Sequence, residues 1–177
     1  NLFQVGTGKH NPQSESFIAG ILCHVSEITA FLNPLVSSYR RLGRFEAPKY
    51  ITWSHQNRSQ LIRIPPATGE YARMELRSPD PSCNPYLAFS LLLRAGLDGI
   101  EQGMELEQPT NYDLYRASPE VLRNIRTLPA NLGEAIAEAR KSLFVKTALP
   151  PRTVHLYLEE KERQWERLGQ SGVLPDP

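Results

Sequence analysis

Arg58, Arg63, Arg73 and Arg77 lie close together in the chain, and Glu75 stands among them. Arg73, Glu75 and Arg77 alternate with Ala72, Met74 and Leu76, a period of two that a β-strand converts into one charged and one apolar face. Same-face residues on a strand are roughly 6.6 Å apart, so the carboxylate is expected between two guanidinium groups in a single row. Arg58 and Arg63 come just before, around a second strand-like run from Gln60 to Ile64 that Pro65 and Pro66 terminate. Four arginines are thus expected to surround one glutamate. Forked, permanent positive charge in such excess suits an oxyanion-rich ligand such as a nucleotide phosphate, with the lone carboxylate free to hold a metal ion. The same alternation also describes a solvated sheet face held by cross-strand ion pairs, and the pattern alone does not separate the two.

The elements that must position these residues are legible on either side. Asn11-Pro12 is a cap and first-turn pair, and Phe17, Ile21, Val25, Ile28 and Leu32 recur at helical spacing until Asn33-Pro34. His24 lies on the flank of that helix with no second ligand at metal-binding spacing, and reads as a packed or surface histidine. Pro34 to Pro48 is a loop with Gly43 as its hinge, followed by a strand-like Lys49 to Ser54. Ser82, Asn84 and Pro85 start a second long helix, apolar nearly all round and therefore expected to be the central buried one, with Gly99 and Gly103 as its breakers. Beyond Met104 short helices alternate with loops. Ser118-Pro119-Glu120 is one start signal and Asn131 with Glu134 a capping box. A last helix from about Thr153 to Leu168, closed by Gly169, carries Val154, Tyr157, Leu158 and Trp165 on one stripe and a solvated charge run, Glu159 to Arg163, on the other. Asn1 to Gly8 reads as a loop. The fold class is α+β, with several antiparallel-type strands between Lys49 and Arg77 packed against helices.

A chain of 177 residues with 40% apolar content can bury a sizeable core. Its net charge of +1 argues against nucleic acid as the main partner, because the basic residues are local. Cys23 and Cys83 sit in apolar helix patterns and offer no disulfide framework, which fits a reducing cytoplasmic setting. No signal peptide is visible, and the longest apolar run, Tyr86 to Leu93, is far below the ~20 residues of a membrane span. Neither a GxxxxGK[ST] nor a GxGxxG loop is present, so nucleotide binding would rest on arginines and metal.

The stretches NPLVSSYRRLGRFEAP, SHQNRSQLIRIP and ARMELRSPDPSCNPYLAFSLLLRAGLDGIE together resemble the C-terminal part of the catalytic domain of bacterial-type glutamine synthetase. The resemblance implies an incomplete, barrel-like half of that domain, with a small N-terminal domain and the first part of the catalytic domain lying outside residues 1–177. It implies an ATP-dependent ligase that phosphorylates the side-chain carboxylate of glutamate and lets ammonia displace phosphate. Relatives that ligate another amine, such as a polyamine, or that keep the scaffold as a non-catalytic assembly module, are the alternatives. Matched by motif, Arg41 and Arg77 would hold glutamate, and Glu46 would sit on a mobile flap as a buried carboxylate that takes the proton of the ammonium. Arg58 would meet the transferred phosphoryl group, Arg63 and Arg73 the nucleotide phosphates, and Glu75 a Mg²⁺ or Mn²⁺ ion. Tyr115 falls where some members carry an adenylylated tyrosine, although its neighbours differ. The flap loop is one residue shorter than usual, and Glu70 replaces a basic residue. The family assembles as a homo-oligomeric ring dodecamer. Taken alone, the 177 residues are expected to be a partial product without synthetase activity, exposing apolar surface and prone to self-associate.

Overall fold

The computed structural model describes residues 1–3, 11–44 and 46–168. Helix α1, Pro12–Leu32, starts where expected: the Asn11 side chain accepts from the Gln13 N–H, and Pro12 fills the first turn. It is the central buried element, with Ile18, Ile21, Val25, Ile28, Phe31 and Leu32 essentially without solvent contact. By length and composition α1 could cross a membrane, yet 61% of that stretch is buried inside the molecule.

Helix α2, Pro85–Glu101, corrects the expectation that it would be the buried one. It covers only Ala88, Leu91, Ala95, Gly96 and Gly99, and leaves Tyr86, Phe89, Leu93 and Leu97 in solvent. The reason is steric. A Cβ on Gly20 would stand 2.1 Å from the Ala95 carbonyl oxygen, and one on Gly99 2.1 Å from the Ser16 carbonyl oxygen. Only the small-residue face of α2 can approach α1 so closely, so the bulky apolar residues are turned outward. Gly99 is therefore a contact residue inside the helix and no breaker. Gly103, at φ 60°, is the residue that ends it.

The sheet is small: β1, Trp53–His55, β2, Ile62–Ile64, and β3, Glu75–Leu76, in that order. The α+β class holds, but β1 and β2 pair in parallel and only β2 and β3 are antiparallel. Residues 56–61 form no hairpin turn; they run back alongside the sheet because Gln60, fully buried, is tied to a distant loop. Lys49 to Ile51 do not extend β1 as a strand. They pair instead with residues 126–128, the Ile51 N–H donating to the Arg126 carbonyl at 2.8 Å and the Leu128 N–H to the Lys49 carbonyl at 2.8 Å.

Four further α-helices follow among the described residues: α3, Pro119–Arg123, α4, Leu132–Lys141, α5, Leu143–Ala148, and α6, Pro151–Leu168. The Asn131 cap accepts from the Glu134 N–H at 2.9 Å, and the Glu134 carboxylate accepts from the Ala130 N–H at 2.8 Å. In α6, Tyr157 stacks on Phe31 and donates its hydroxyl to the Ala30 carbonyl, while Arg163 pairs with Glu159 and Glu160 on the outer face. His24 is a packed residue, 2.8 Å from Asp98 and stacked on Phe144. Cys83 precedes α2 instead of lying within it, and both cysteines are free. Gly169 and most of the Asn1 to Gly8 loop lie outside the described residues.

Replacing Gly99 by Ala tests the crossing. In an unconstrained helix the change would stabilise by about 1 kcal/mol through propensity. Here the carbonyl of Ser16 occupies the site of the new methyl group, so the expected outcome in urea unfolding is a net loss of about 2 kcal/mol.

Candidate active site

The β2–β3 register places Arg63 opposite Glu75. Arg63 donates Nη1–H to Glu75 Oε2 at 2.8 Å, and Arg73, just before β3, donates to Glu75 Oε1 from Nη2 at 3.0 Å. Arg77 does not join them. Its backbone continues past β3, with its N–H on the Leu61 carbonyl at 3.0 Å, but its side chain reaches to the loop after α1. There Nη2 donates to the Glu46 carbonyl at 2.9 Å and lies 3.9 Å from the Glu46 carboxylate, which Arg58 Nη1 approaches to 3.3 Å. The four arginines are thus divided between two carboxylates, where the alternating pattern implied one. The Arg77 N–H keeps the backbone in register opposite Leu61, while its side chain meets a partner on another loop.

Glu46 sits at the tip of a tight turn that Ala47 closes: the Gly43 N–H donates to the Ala47 carbonyl at 2.6 Å, and the Ala47 N–H to the Arg44 carbonyl at 2.9 Å. Its φ of 61° is in the left-handed region, which costs a glutamate about 1–2 kcal/mol. The side chain is 61% exposed, so the described residues alone do not bury the carboxylate that the resemblance places here. Arg77 is the opposite case. Its side chain is 15% exposed, and its Nη1 is buried with no hydrogen-bond partner among the described residues.

Arg41 points away from this group. Its Nη2 donates to Asn33 Oδ1 at 2.6 Å and to the Ser78 carbonyl, and its Nε lies 3.6 Å from Asp80. It works as a strut between the end of α1 and the loop that leads into α2. Burial alone would raise the Asp80 carboxyl, but hydrogen bonds from Ser82 and Ser38 and the Arg41 charge outweigh it and hold the group below its ordinary 3.8.

Sequence reasoning missed Ser59 and Gln60. Gln60 Nε2 donates to the carbonyls of Thr110 at 2.8 Å and Tyr112 at 2.9 Å, and Ser59 Oγ accepts from the Leu114 N–H at 2.9 Å. The available signal was a pair of polar residues opening an otherwise apolar strand run, which is costly to bury without partners. A cleft of about 350 Å³ beside Trp53 and Cys23 is lined by none of the residues around Glu46 or Glu75.

A divalent cation takes about six or more oxygen ligands. Both oxygens of Glu75 already accept from arginine, and among the described residues no group of three His, Cys, Asp or Glu side chains converges. These residues alone do not fit a metal ion, and no chemical step is assigned to one here.

The geometry describes a cationic, partly open site built on a small mixed sheet and held by two long helices. The family model for the glutamine synthetase catalytic domain matches residues 1–172. The chain is 52% identical over 153 residues to glutamine synthetase of Methanosarcina mazei, covering 85% of this chain and 34% of that protein. It is 42% identical over 165 residues to that of Methanocaldococcus jannaschii, covering 90% and 36%. Among solved structures, a GmaS/ADP complex superposes with a TM-score of 0.83 at 31% identity, covering 99% of this chain and 41% of that one. GmaS without ligand gives a TM-score of 0.80. This chain belongs to the glutamine synthetase family through its catalytic domain, and it spans about a third of the length of the curated relatives it matches.

The Asp80 strut has a pH signature. A carboxyl whose folded pKa is depressed contributes stability that is fully present above its unfolded value and lost as pH falls through the folded value. Asp80→Asn should therefore lower stability at neutral pH by about 1–2 kcal/mol and flatten its fall as pH drops through and below the ordinary carboxyl value of 3.8. Thermal melts across that range read both effects.

Proposed function

We propose that this chain is part of an ATP-dependent ligase that joins glutamate to ammonia, and that its two arginine–carboxylate sets divide the work. The observation that carries this reading is Arg77 Nη1, a buried cationic donor beside Glu46 with no partner among the described residues. Such a donor left unpaired costs about 1–3 kcal/mol, and an anionic group entering next to Glu46 removes that cost. Arg58, largely exposed, faces the same space, and Arg63 and Arg73 extend the positive surface along the sheet. Four guanidinium groups against two carboxylates leave a surplus of positive charge, suited to the spread charge of a phosphoryl group in transfer. The similar GmaS structure that holds ADP supports a nucleotide at this fold.

In this reading the terminal phosphoryl group of ATP passes to the side-chain carboxylate of glutamate, giving an acyl phosphate and ADP. The ammonia nitrogen then attacks the acyl carbon, the carbon–oxygen bond to phosphate breaks, and phosphate leaves. The proton shed by nitrogen goes to the Glu46 carboxylate. Arg77 orients the carboxyl group undergoing reaction, and Arg58 meets the phosphoryl oxygens. Glu75 holds Arg63 and Arg73 in place. A divalent metal, which the family uses with ATP, would need Glu75 together with ligands beyond the described residues. A second reading, an amine other than ammonia, is favoured by the exposure of Glu46, because the described residues leave room beside it.

Phosphate release from ATP by the full-length protein, supplied with glutamate and in turn ammonium, methylamine or a polyamine, tests both readings. Release with ammonium supports the first and release with a larger amine alone supports the second. No release with any of them rejects a ligase.

Two substitutions test the residue roles in the same protein. Glu46→Ala should lower kcat at least ~100-fold while nucleotide binding stays nearly unchanged, and equal loss of both would make Glu46 structural. Glu75→Gln, which removes the charge that holds Arg63 and Arg73, should weaken ATP binding at least ~10-fold by titration calorimetry, and unchanged affinity removes this set from the nucleotide site.

A further inference from the structure

Beside Glu46, Gln56 is the other non-glycine residue held at positive φ among the described residues, at 64°. The Asn57 N–H donates across it to the His55 carbonyl at 2.7 Å, closing a three-residue turn of a rare and strained kind. Gln56 is exposed, so packing of its side chain does not impose this conformation.

A gap in the sheet explains it. Along the parallel pair β1–β2 the Ile62 N–H donates to the Thr52 carbonyl at 3.1 Å, and the Gln56 N–H to the Ile64 carbonyl at 3.1 Å. With His55 opposite Ile64, the next donor in this ladder is the N–H of residue 66, and its acceptor is the Gln56 carbonyl. Residue 66 is proline and has no N–H. The Gln56 carbonyl is thus left over at the end of the sheet, and the turn swings it onto a side chain: Arg63 Nε donates to it at 3.2 Å.

Arg63 is thereby held at two of its three guanidinium nitrogens, Nε on Gln56 and Nη1 on Glu75 at 2.8 Å. The guanidinium is planar, so fixing two nitrogens fixes the direction of the third. That third nitrogen, Nη2, has no hydrogen-bond partner among the described residues.

We infer that Gln56 and Pro66 are positioning residues for the nucleotide: together they aim Arg63 Nη2 at a phosphate oxygen. Gln56 acts through its backbone carbonyl, and Pro66 by withholding the donor that would compete for it. The inference rests on the ligase reading, in which Arg63 meets a nucleotide phosphate.

Titration calorimetry of ATP with Mg²⁺ into the full-length protein, alongside KM values for ATP and glutamate, tests it. Gln56→Val puts a β-branched residue at positive φ, which breaks the turn and releases Arg63 Nε. This variant should bind ATP at least ~10-fold more weakly, the scale of one hydrogen bond to a charged group, with an equal rise in the KM for ATP. Its kcat and its KM for glutamate should stay within about 2-fold of the parent, a split that general loosening of the fold would not produce. Gln56→Gly, which takes positive φ freely and keeps the carbonyl, should bind ATP within about 2-fold of the parent. Pro66→Ala restores an N–H that competes for the Gln56 carbonyl and should weaken ATP binding at least ~3-fold; it decides where Gln56→Val does not fold. Unchanged ATP affinity in the deciding variant, equal rises in both KM values, or the same loss in Gln56→Gly overturns the inference and leaves the ligase reading standing. A parent that binds no ATP overturns both.

Discussion

The backbones of α1 and α2 touch at Gly20 and Gly99, and the loops that carry the arginines are hung from the ends of that crossing. At the end of α1, the Leu32 carbonyl accepts from the Asp80 N–H at 2.8 Å, and Asn33 accepts from Arg41. Asp80 in turn lies in the segment that leads from Arg77 into the Asn84 cap of α2. Moving the two helices apart by the width of a methyl group would shift the anchor of that segment, and Arg77 with it. Phe17 against Gly96 and His24 against Asp98 fix the same crossing further along, so the contact is secured at several points and not by the glycines alone.

A three-stranded sheet this short is a weak scaffold on backbone hydrogen bonds alone. Its stability comes from burying Trp53, Leu61, Ile62 and Ile64 against α1 and its neighbours, and from the Gln60 amide, which does between two loops what a longer ladder would do between strands. Gln60 is fully buried with both amide hydrogens and its oxygen in use, which makes the segment specific: any slip of its register strands three polar groups in the core. Arg58 thereby gains a fixed backbone although its own side chain is in water.

Signals local to a few residues were legible in the sequence. Asn11 with Pro12, and Asn131 with Glu134, cap helices by bonds between near neighbours, which residue type and spacing express directly. The grouping of Arg63, Arg73 and Glu75 was legible for the same reason, since one register joins them. The partner of Arg77 was not. Glu46 is 31 positions away and reaches it only because a turn holds Glu46 at positive φ, which no periodicity announces. The choice of buried helix was hidden as well: α1 and α2 are both apolar, and the deciding feature, small residues on one face of α2, was visible but resembles a helix stop. Parallel pairing of β1 and β2 depends on where Gln60 is tied, a tertiary fact.

The two carboxylates differ in how firmly they hold their arginines, and in the proposed ligase that difference would decide which arginines an incoming anion can take. Arg63 and Glu75 meet at 2.8 Å, with the Arg63 side chain only 19% exposed, and Arg73 adds a second bond on the other oxygen. Such a partly desolvated, multiply bonded set persists when a ligand arrives, because a new anion gains less than it displaces. Arg58 and Glu46 meet at 3.3 Å with both side chains mostly in water, a pairing worth at most about 1 kcal/mol. An entering oxyanion can therefore take Arg58 and the unused Nη1 of Arg77 while leaving the Glu75 framework intact. In the proposed ligase Glu46 would then be released from Arg58 alone, Arg77 Nη2 keeping its bond to the Glu46 carbonyl.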